Sequence, residues 1–179
     1  MTKVNPKQKE YLFVDGYNII NSWTSLAEAR KISLEEARGQ LLEILAEYHH
    51  YSHIDIVVVF DAYDVKGNMG NEVDHKGIKV IFTKEGETAD HFIEKTLDKI
   101  GRIRNIRVAT SDRLEQEMIL ARGGRRVSAR ELQAEIFDEM RMAKRKSKDI
   151  NKENDKYLGR LDKDTLKKLD NWNKLDDFS

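Results

Sequence analysis

The chain has 179 residues, of which 32 are Lys or Arg, 32 are Asp or Glu, and 39% are hydrophobic. This length predicts one domain plus an extension, and the zero net charge favours no class of partner. Cysteine is absent, which excludes disulfides and thiolate zinc sites and suits a reducing compartment. The start is polar, and the longest apolar run, IVVVF (56–60), is far too short to cross a bilayer. We expect a soluble, cytoplasmic protein.

The first half of the chain alternates between strand and helix patterns. YLFV (11–14) is typical of a buried strand, and SLEEARGQLLEILAEYHHY (33–51) of an amphipathic helix that opens with capping-box spacing. IDIVVVF (54–60) and IKVIF (78–82) are nearly continuous apolar runs, as in parallel strands covered on both faces. Between them we expect a loop whose glycines (66–77) are flexible.

The second half continues the alternation. It predicts, in order, the helix 88–101, the strand IRVAT (106–110), the helix 111–124, a short strand RRVS (125–128) and the helix 128–146. In the third of these elements Asp112 and Glu115 have the spacing of a capping box.

This alternation predicts an α/β domain with a mainly parallel sheet over residues 8–146. The remainder, 147–179, is a charged extension with one helical candidate, KDTLKKLDNWNKL (163–175).

Acidic residues recur just after the predicted strands. Asp15 follows YLFV, Asp61 follows IVVVF, and Asp112 follows IRVATS; Asp90 lies in the first turn of the helix after IKVIF, with Glu87 three residues earlier. In an open parallel sheet the ligand crevice lies outside the carboxyl ends of the strands. We therefore expect these carboxylates at one edge of the sheet.

Each acid also has a local explanation. Asp15 with Gly16 forms a common turn pair, Asp61 begins a loop, and Asp90 and Asp112 suit helix N-termini. As a group, however, crowded carboxylates repel one another unless a cation neutralises them. Hard oxygen ligands in a chain without cysteine indicate Mg²⁺ or Mn²⁺.

A divalent ion at this edge suits phosphodiester cleavage, because it activates water and stabilises a phosphoryl oxyanion. Asn18 is a candidate for orienting a carboxylate or a phosphate, and hydroxyls are available at Thr88, Thr110 and Ser111. The chain has no G-x-x-x-x-G-K-[ST], no G-x-G-x-x-G and no D-x-D after a strand, so other common phosphate chemistries are not favoured.

Four motifs carry a family resemblance. VDGYNII, VVFDAYD, ETADHFIE and ATSDRLEQ resemble, in order and spacing, the motifs of the NYN domain, a branch of the PIN-like nucleases. The chain from residue 10 to about 146, including GGRRVSARELQAEI, closely resembles the YacP-type group of that family. The resemblance implies a PIN-like three-layer α/β/α sandwich with a central parallel sheet.

The resemblance also implies an activity. Proteins of this group are ribosome-associated endoribonucleases that cut mRNA during translation. It implies metal-dependent RNA hydrolysis by the matching acids Asp15, Asp61, Asp90 and Asp112. The Mg²⁺ or Mn²⁺ ligands would be Asp15, Asp90, Asp112 and Glu87, and Asp15 would be both turn former and ligand. We expect a monomer that acts on single-stranded mRNA at the ribosome and not at a membrane.

Candidate substrate contacts surround the acids: Asn18, Tyr17, Thr88, Ser111, Arg113, Arg125 and Arg126. The last two belong to an arginine cluster beside the final strands, with Arg102, Arg104, Arg107, Arg122 and Arg130, and a basic run follows at 141–148. The cluster predicts a face for RNA phosphates, although a solvated helix surface also explains the basic run. Tyr17 or Tyr63 would either stack on an unpaired base or pack in the core; Trp23 is assigned to packing.

Two other functions remain open on the residues. A catalytically silent RNA- or ribosome-binding module would share the fold but has no need of mutually repelling acids. A structure-specific DNA nuclease is disfavoured, since no helix-hairpin-helix or helical arch is evident. The long loop 61–77 is expected to meet RNA or the ribosome. The extension would be disordered, packed on the domain, or a ribosome anchor.

Overall fold

The computed structural model describes residues 9–62, 70–100, 105–158 and 167. Their elements, in chain order, are β1 (Glu10–Asp15), α1 (Gly16–Ser22), α2 (Thr24–Ile32), α3 (Leu34–Ser52), β2 (Asp55–Phe60), β3 (Glu72–His75), β4 (Ile78–Phe82), α4 (Ala89–Ile100), β5 (Asn105–Ala109), α5 (Arg113–Ala121), β6 (Arg125–Val127) and α6 (Ala129–Leu158). Among these residues, no helix is both long enough and apolar enough to span a bilayer.

The six strands form one sheet in the order β3-β4-β2-β1-β5-β6. All neighbours are parallel except β3, which pairs antiparallel with β4. The chain builds outward from β1 through β2 to β4, then crosses to β5 on the other side of β1. The order therefore reverses between β1 and β5, and such a switch point is where open α/β sheets bind ligands.

Helices cover both faces of the sheet. On one face Phe13, Val57 and Val108 pack against buried side chains of α4 and α5, among them Ile93 and Ile119. Side chains alternate along a strand, so Leu12 and Val14 of β1, both fully buried, point to the opposite face. There α1 and α3 contact β2, and α3 also contacts β4. The fold is thus the predicted three-layer α/β/α sandwich with a mainly parallel sheet.

All five predicted strands are confirmed, but three elements were not predicted. Helices α1 and α2 were missed because α1 starts directly after β1, without a linker, in the apolar sequence GYNIINS. The expected Asp15–Gly16 turn is therefore a strand-to-helix junction. Strand β3 was missed because EVDH carries one apolar residue and is exposed on the sheet edge; it replaces part of the expected flexible loop, of which 63–69 lie outside the described residues.

Helices α6 and α3 both begin after a serine that caps the helix. The Ser128 backbone N–H donates to Glu131 Oε2 (2.7 Å) while the Glu131 N–H donates to Ser128 Oγ (3.1 Å), a complete reciprocal box. Ser33 also caps α3 through the Glu36 N–H.

The chain divides into two compact units, Met1–Glu139 and Met140–Ser179. The first contains the sheet and α1 to α5. Helix α6 continues through the predicted boundary at 146/147 as far as Leu158. The helical candidate at 163–175 lies outside the described residues except for Lys167.

Candidate metal centre

Three carboxylates meet at the switch point of the sheet. Asp15 ends β1, Asp90 lies in the first turn of α4, and Glu115 lies in the first turn of α5. One carboxylate oxygen of each residue lies within 4.8 Å of those of the other two. The register sets Val14 of β1 beside Ala109 of β5, so the carboxyl ends of these two strands deliver their following residues to the same place.

The β1–α1 junction fixes Asp15 in this position. Its Oδ1 accepts a hydrogen bond from the Asn18 backbone N–H (3.3 Å), which makes Asp15 the N-cap of α1. The junction also needs a residue without a side chain, since a Cβ on Gly16 would lie 2.2 Å from the Phe60 ring. Glycine thus lets the helix start directly against β2, with the carboxylate held at the sheet edge.

Burial and a neighbouring acid keep Asp15 partly protonated near neutrality. Only 8% of the residue is exposed. Burial is the largest factor, and together with the adjacent Asp90 carboxyl it raises the pKa of Asp15 to about 7; the Asn18 N–H opposes the shift and Asp61 adds to it. Removal from water and a like charge both disfavour the ionised form.

Glu115 is buried more deeply and was missed as a site residue. It is 4% exposed, and neither carboxylate oxygen makes a hydrogen bond of normal geometry within the described part of the chain. Burial raises the pKa of Glu115 to about 8, with contributions from Asp15 and Asp90 and partial opposition from the nearby Thr110 hydroxyl. A buried carboxylate whose oxygens lack well-formed hydrogen bonds indicates a missing cation or a bound proton.

The predicted capping box at Asp112 and Glu115 is half correct. Asp112 Oδ1 accepts from the Leu114 N–H (2.9 Å) and the Glu115 N–H (3.4 Å), but Glu115 does not return to the Asp112 N–H, which donates to Thr110 Oγ1 instead (3.1 Å). Glu115 points inward, four residues before the buried Ile119. Its place on the apolar face of α5 was the available signal that it does more than cap.

The donor set fits a hard divalent cation. Asp15, Asp90 and Glu115 supply only carboxylate oxygens, and none of the three forms an ion pair with any residue in the described ranges. Oxygen-only ligands are typical of Mg²⁺, Mn²⁺ and Ca²⁺. A divalent ion would also neutralise the repulsion between the acids, which adds to burial in raising the pKa values of Asp15 and Glu115.

Asp61 and Asp112 flank this cluster without joining it. They follow β2 and β5, the two strands beside β1. Asp61 Oδ1 accepts from the Ala89 N–H at the start of α4, and its charge reaches Asp15. Asp112 is exposed and caps α5. Their predicted catalytic roles stay predictions, now at the rim of a three-carboxylate centre.

Glu87 and Thr88 serve local structure at the start of α4. Glu87 Oε1 pairs with Lys95 Nζ (2.7 Å), and this hydrogen bond lowers the pKa of Glu87. Thr88 is exposed, and its hydroxyl accepts from the His91 N–H (3.2 Å). Glu87 therefore already pairs with a lysine, whereas none of the three clustered acids pairs with a basic side chain among the described residues.

Asn18 ties the two sides of the switch point together. Its Oδ1 accepts from both the backbone N–H (2.6 Å) and the hydroxyl (2.7 Å) of Ser111, and Ser22 Oγ lies 3.0 Å from Ser111 Oγ. These bonds hold α1 against the β5–α5 connection, so Asp15 and Glu115 keep their spacing.

The aromatic side chains near the site pack in the core. Tyr17 is 8% exposed and stacks at an angle on Phe60, with 5.0 Å between ring centroids. Its predicted role on a base would require it to leave this contact; Tyr63 lies outside the described residues. Trp23 is 3% exposed and donates to the Ala129 carbonyl (2.8 Å), which confirms its assignment to packing.

The predicted arginine cluster separates into different environments. Arg107 pairs with Glu135, and Arg125 Nη2 reaches Asn105 Oδ1 (2.8 Å), at the amino end of β5 and so away from the acids. Arg126 is exposed and contacts Gln116 (3.4 Å), and Arg113 is exposed at the first position of α5, beside Asp112. Arg102 and Arg104 lie outside the described residues.

Comparisons with known proteins assign the chain to a family. The model of the YacP-like NYN domain matches residues 12–174. The protein YacP of Bacillus subtilis (strain 168) is 40% identical over 168 residues, which are 93% of this chain and 98% of YacP.

Solved structures agree with this assignment. The crystal structure of Rae1 (YacP) from Bacillus subtilis superposes with a TM-score of 0.68 at 40% identity, covering 93% of this chain and 95% of that one. The crystal structure of a mutant form of the same Bacillus subtilis protein gives a TM-score of 0.66 at 41% identity, covering 79% and 82%. The fold, the carboxylate cluster at its switch point and these matches together show that the chain belongs to the YacP-like NYN domain family.

Proposed function

We propose that this protein is an endoribonuclease that hydrolyses phosphodiester bonds of mRNA with the aid of Mg²⁺ or Mn²⁺. The observation that carries the proposal is the group of three acids, Asp15, Asp90 and Glu115, gathered without an ion-pair partner among the described residues. Family membership supports a nuclease-type activity.

The three acids would hold the ion through one oxygen each. A divalent ion bound there supplies Lewis-acid activation of water and stabilisation of the phosphoryl oxygens. Asp15 and Glu115 would release their protons on binding, since carboxylates must be ionised to act as ligands. Asp61 and Asp112, which follow the strands on either side of β1, would orient the attacking water by accepting its hydrogen bonds.

The substrate would be single-stranded RNA laid across the carboxyl edge of the sheet. The hydroxyls of Ser111 and Thr88 are exposed there, and Arg113 and Arg126 supply positive charge on the α5 side. On the basis of the family resemblance, we also propose that the protein is a monomer and that it acts at the ribosome in the cytoplasm.

A translating extract with a reporter mRNA tests the proposal, with new 5′ ends mapped by primer extension. The variant is Asp90→Asn, which removes one acid of the cluster. Its matched control is Asp98→Asn, on the same helix two turns later, where the aspartate pairs with Arg122 at the surface (2.9 Å). The comparison also includes wild-type protein in an extract with translation initiation blocked.

We expect a new cut that requires Asp90 and active translation and that survives Asp98→Asn. A cut that ignores translation would leave a plain endoribonuclease and remove the ribosome from the proposal. If several mRNAs stayed intact while the protein bound ribosomes, the proposal would give way to the catalytically silent module.

A further inference from the structure

We propose that Arg38 is a phosphate-binding residue for the RNA substrate and that Tyr17 holds it at the carboxyl edge of the sheet. The inference rests on the proposed function, because it assigns part of the substrate-binding surface of the same site.

The direction of α3 places Arg38 toward the carboxyl edge of the sheet, the edge at which the acids lie. Helix α3 leads into β2, which runs parallel to β1, so α3 runs opposite to the strands and begins at their carboxyl edge. Arg38 is the fifth of its 19 residues, and at a rise of about 1.5 Å per residue it lies only about 6 Å along the axis from the helix start.

A hydrogen bond to Tyr17, at the β1–α1 junction, positions the Arg38 guanidinium. Arg38 Nη1 donates to the Tyr17 hydroxyl (3.1 Å), and Tyr17 lies two residues after Asp15. The Tyr17 ring is fixed in turn by Phe60, the last residue of β2. The half-buried Arg38 side chain is thus anchored to the segment that carries the first acid.

Arg38 also has donors to spare. Within the described residues its guanidinium makes this one hydrogen bond, to a neutral hydroxyl, and forms no ion pair. Arg107 and Arg122, in contrast, each form ion pairs with two acids. A planar guanidinium with free N–H groups is well matched to two oxygens of a phosphate.

The partner of a guanidinium with free donors is anionic, and at this edge of the sheet one ligand can reach both Arg38 and the acids. An RNA backbone would do so, with one phosphate held at the cluster by the cation and another phosphate of the same strand held by the arginine. A single phosphate contact of this kind strengthens binding in a salt-dependent manner and carries no base preference.

The test measures binding of a labelled single-stranded RNA to the full chain in EDTA, where no cleavage occurs, over a series of KCl concentrations. Arg38→Gln should weaken binding about tenfold at low salt, as for one lost charge-assisted hydrogen bond. The slope of log Kd against log salt should also fall by about 0.7, the value for one phosphate contact on a single strand. Arg38→Lys should restore the slope and part of the affinity.

Two further variants separate position from charge. Lys99→Gln removes one exposed charge from the last turn of α4, at the opposite edge, and should change Kd less than about twofold. Tyr17→Phe keeps the Arg38 charge but removes its anchor, and should weaken binding about threefold without changing the salt slope.

Wild-type affinity and slope in Arg38→Gln, or an equal loss in Lys99→Gln, would overturn the inference while leaving the nuclease proposal in place if wild type still cut the reporter. Absence of RNA binding by wild-type protein, together with an intact reporter mRNA, would overturn both.

Discussion

The domain has two clusters of acidic side chains, which differ in whether a basic side chain pairs with the acids. On β1, β5 and α6, Glu10 and Glu135 share the guanidinium of Arg107, with Glu135 bound by both terminal nitrogens (2.8 and 2.7 Å). We call this group the Arg107 cluster. The Arg107 hydrogen bonds are the main cause of the lowered pKa of Glu135. At the switch point, Asp15, Asp90 and Glu115 meet without such a group, and the pKa values of Asp15 and Glu115 are raised.

This difference shows which acids the fold neutralises with its own basic side chains. The Arg107 cluster contains its own cation, which pairs with both acids in the absence of any ligand; the Tyr48 hydroxyl also donates to Glu135. The switch-point carboxylates are complete only with protons or with a cation from outside. The first arrangement is structural, and the second is the one that we assign to metal binding. Each prediction below changes one side of this comparison.

The largest effect is expected at Glu115. Glu115→Gln keeps the side-chain volume but removes a ligand, so cleavage of the reporter mRNA should fall by about 10²- to 10³-fold. The matched control is Glu117→Gln, an exposed acid on the same helix, which should keep nearly full activity. Equal activity of both variants would mean that Glu115 has no part in the chemistry.

The Arg107 cluster should respond in stability and not in metal binding. Arg107→Gln leaves Glu10 and Glu135 without their cation, and we expect it to lower the free energy of unfolding by about 2 kcal/mol. This is less than for a fully buried pair, because both acids are partly exposed. Chemical denaturation measures the loss. Rescue of this variant by Mn²⁺ would show that the two acidic groups are not as distinct as we argue.

The pH dependence of stability should carry the signature of Glu115. Unfolded, its carboxyl loses the proton near pH 4.5; folded, it keeps the proton to about pH 8. Between these values the native state binds more protons than the unfolded state, so this group makes stability fall as pH rises. Metal-free Glu115→Gln should therefore gain stability over wild type between pH 5 and 8, by on the order of 1–3 kcal/mol. Thermal denaturation in EDTA at several pH values measures the difference, and a constant difference would contradict the assigned protonation.

The smallest change in stability is expected for Asp112→Asn, and this variant distinguishes a helix-capping role of Asp112 from a catalytic one. Asn caps helices about as well as Asp, so Asp112→Asn should leave the free energy of unfolding within about 0.5 kcal/mol, whereas Asp112→Ala should cost about 1 kcal/mol. If Asp112 is also catalytic, Asp112→Asn abolishes cleavage despite its intact fold. Full cleavage by Asp112→Asn would confine this residue to its N-cap role.

The sequence was sufficient for the five parallel strands of the sheet, but not for the exposed strand β3, and it was sufficient for most of the acids at the carboxyl edge. Continuous β-branched runs are typical of parallel strands covered on both faces, and the carboxyl ends of such strands bring Asp15 and Asp61 to one edge. Asp90 was found because its helix follows β4. Glu115 was not recognised as a site residue because its spacing from Asp112 also fits a capping box. Only the packing of α5 shows that its side chain points inward.

The arginines could not be sorted by sequence. Nothing in the sequence distinguishes Arg107 from Arg113. In the structure, Arg107 pairs with Glu10 and Glu135, whereas Arg113 is exposed at the start of α5. That distinction depends on strand register and on the acids contributed by distant elements. Arg38 lies between the first and second acid motifs in the chain, and no local pattern links it to either of them.

The central claim is that the switch-point acids bind a divalent cation, and Mn²⁺ titration followed by electron paramagnetic resonance tests it most directly. At pH 7.5 we expect saturable loss of the free Mn²⁺ signal with wild-type protein, and a binding constant at least about tenfold weaker with Asp15→Asn. Arg107→Gln should bind Mn²⁺ as wild type does. If wild-type protein bound no Mn²⁺, or bound it equally well without the Asp15 carboxylate, the metal centre would be contradicted.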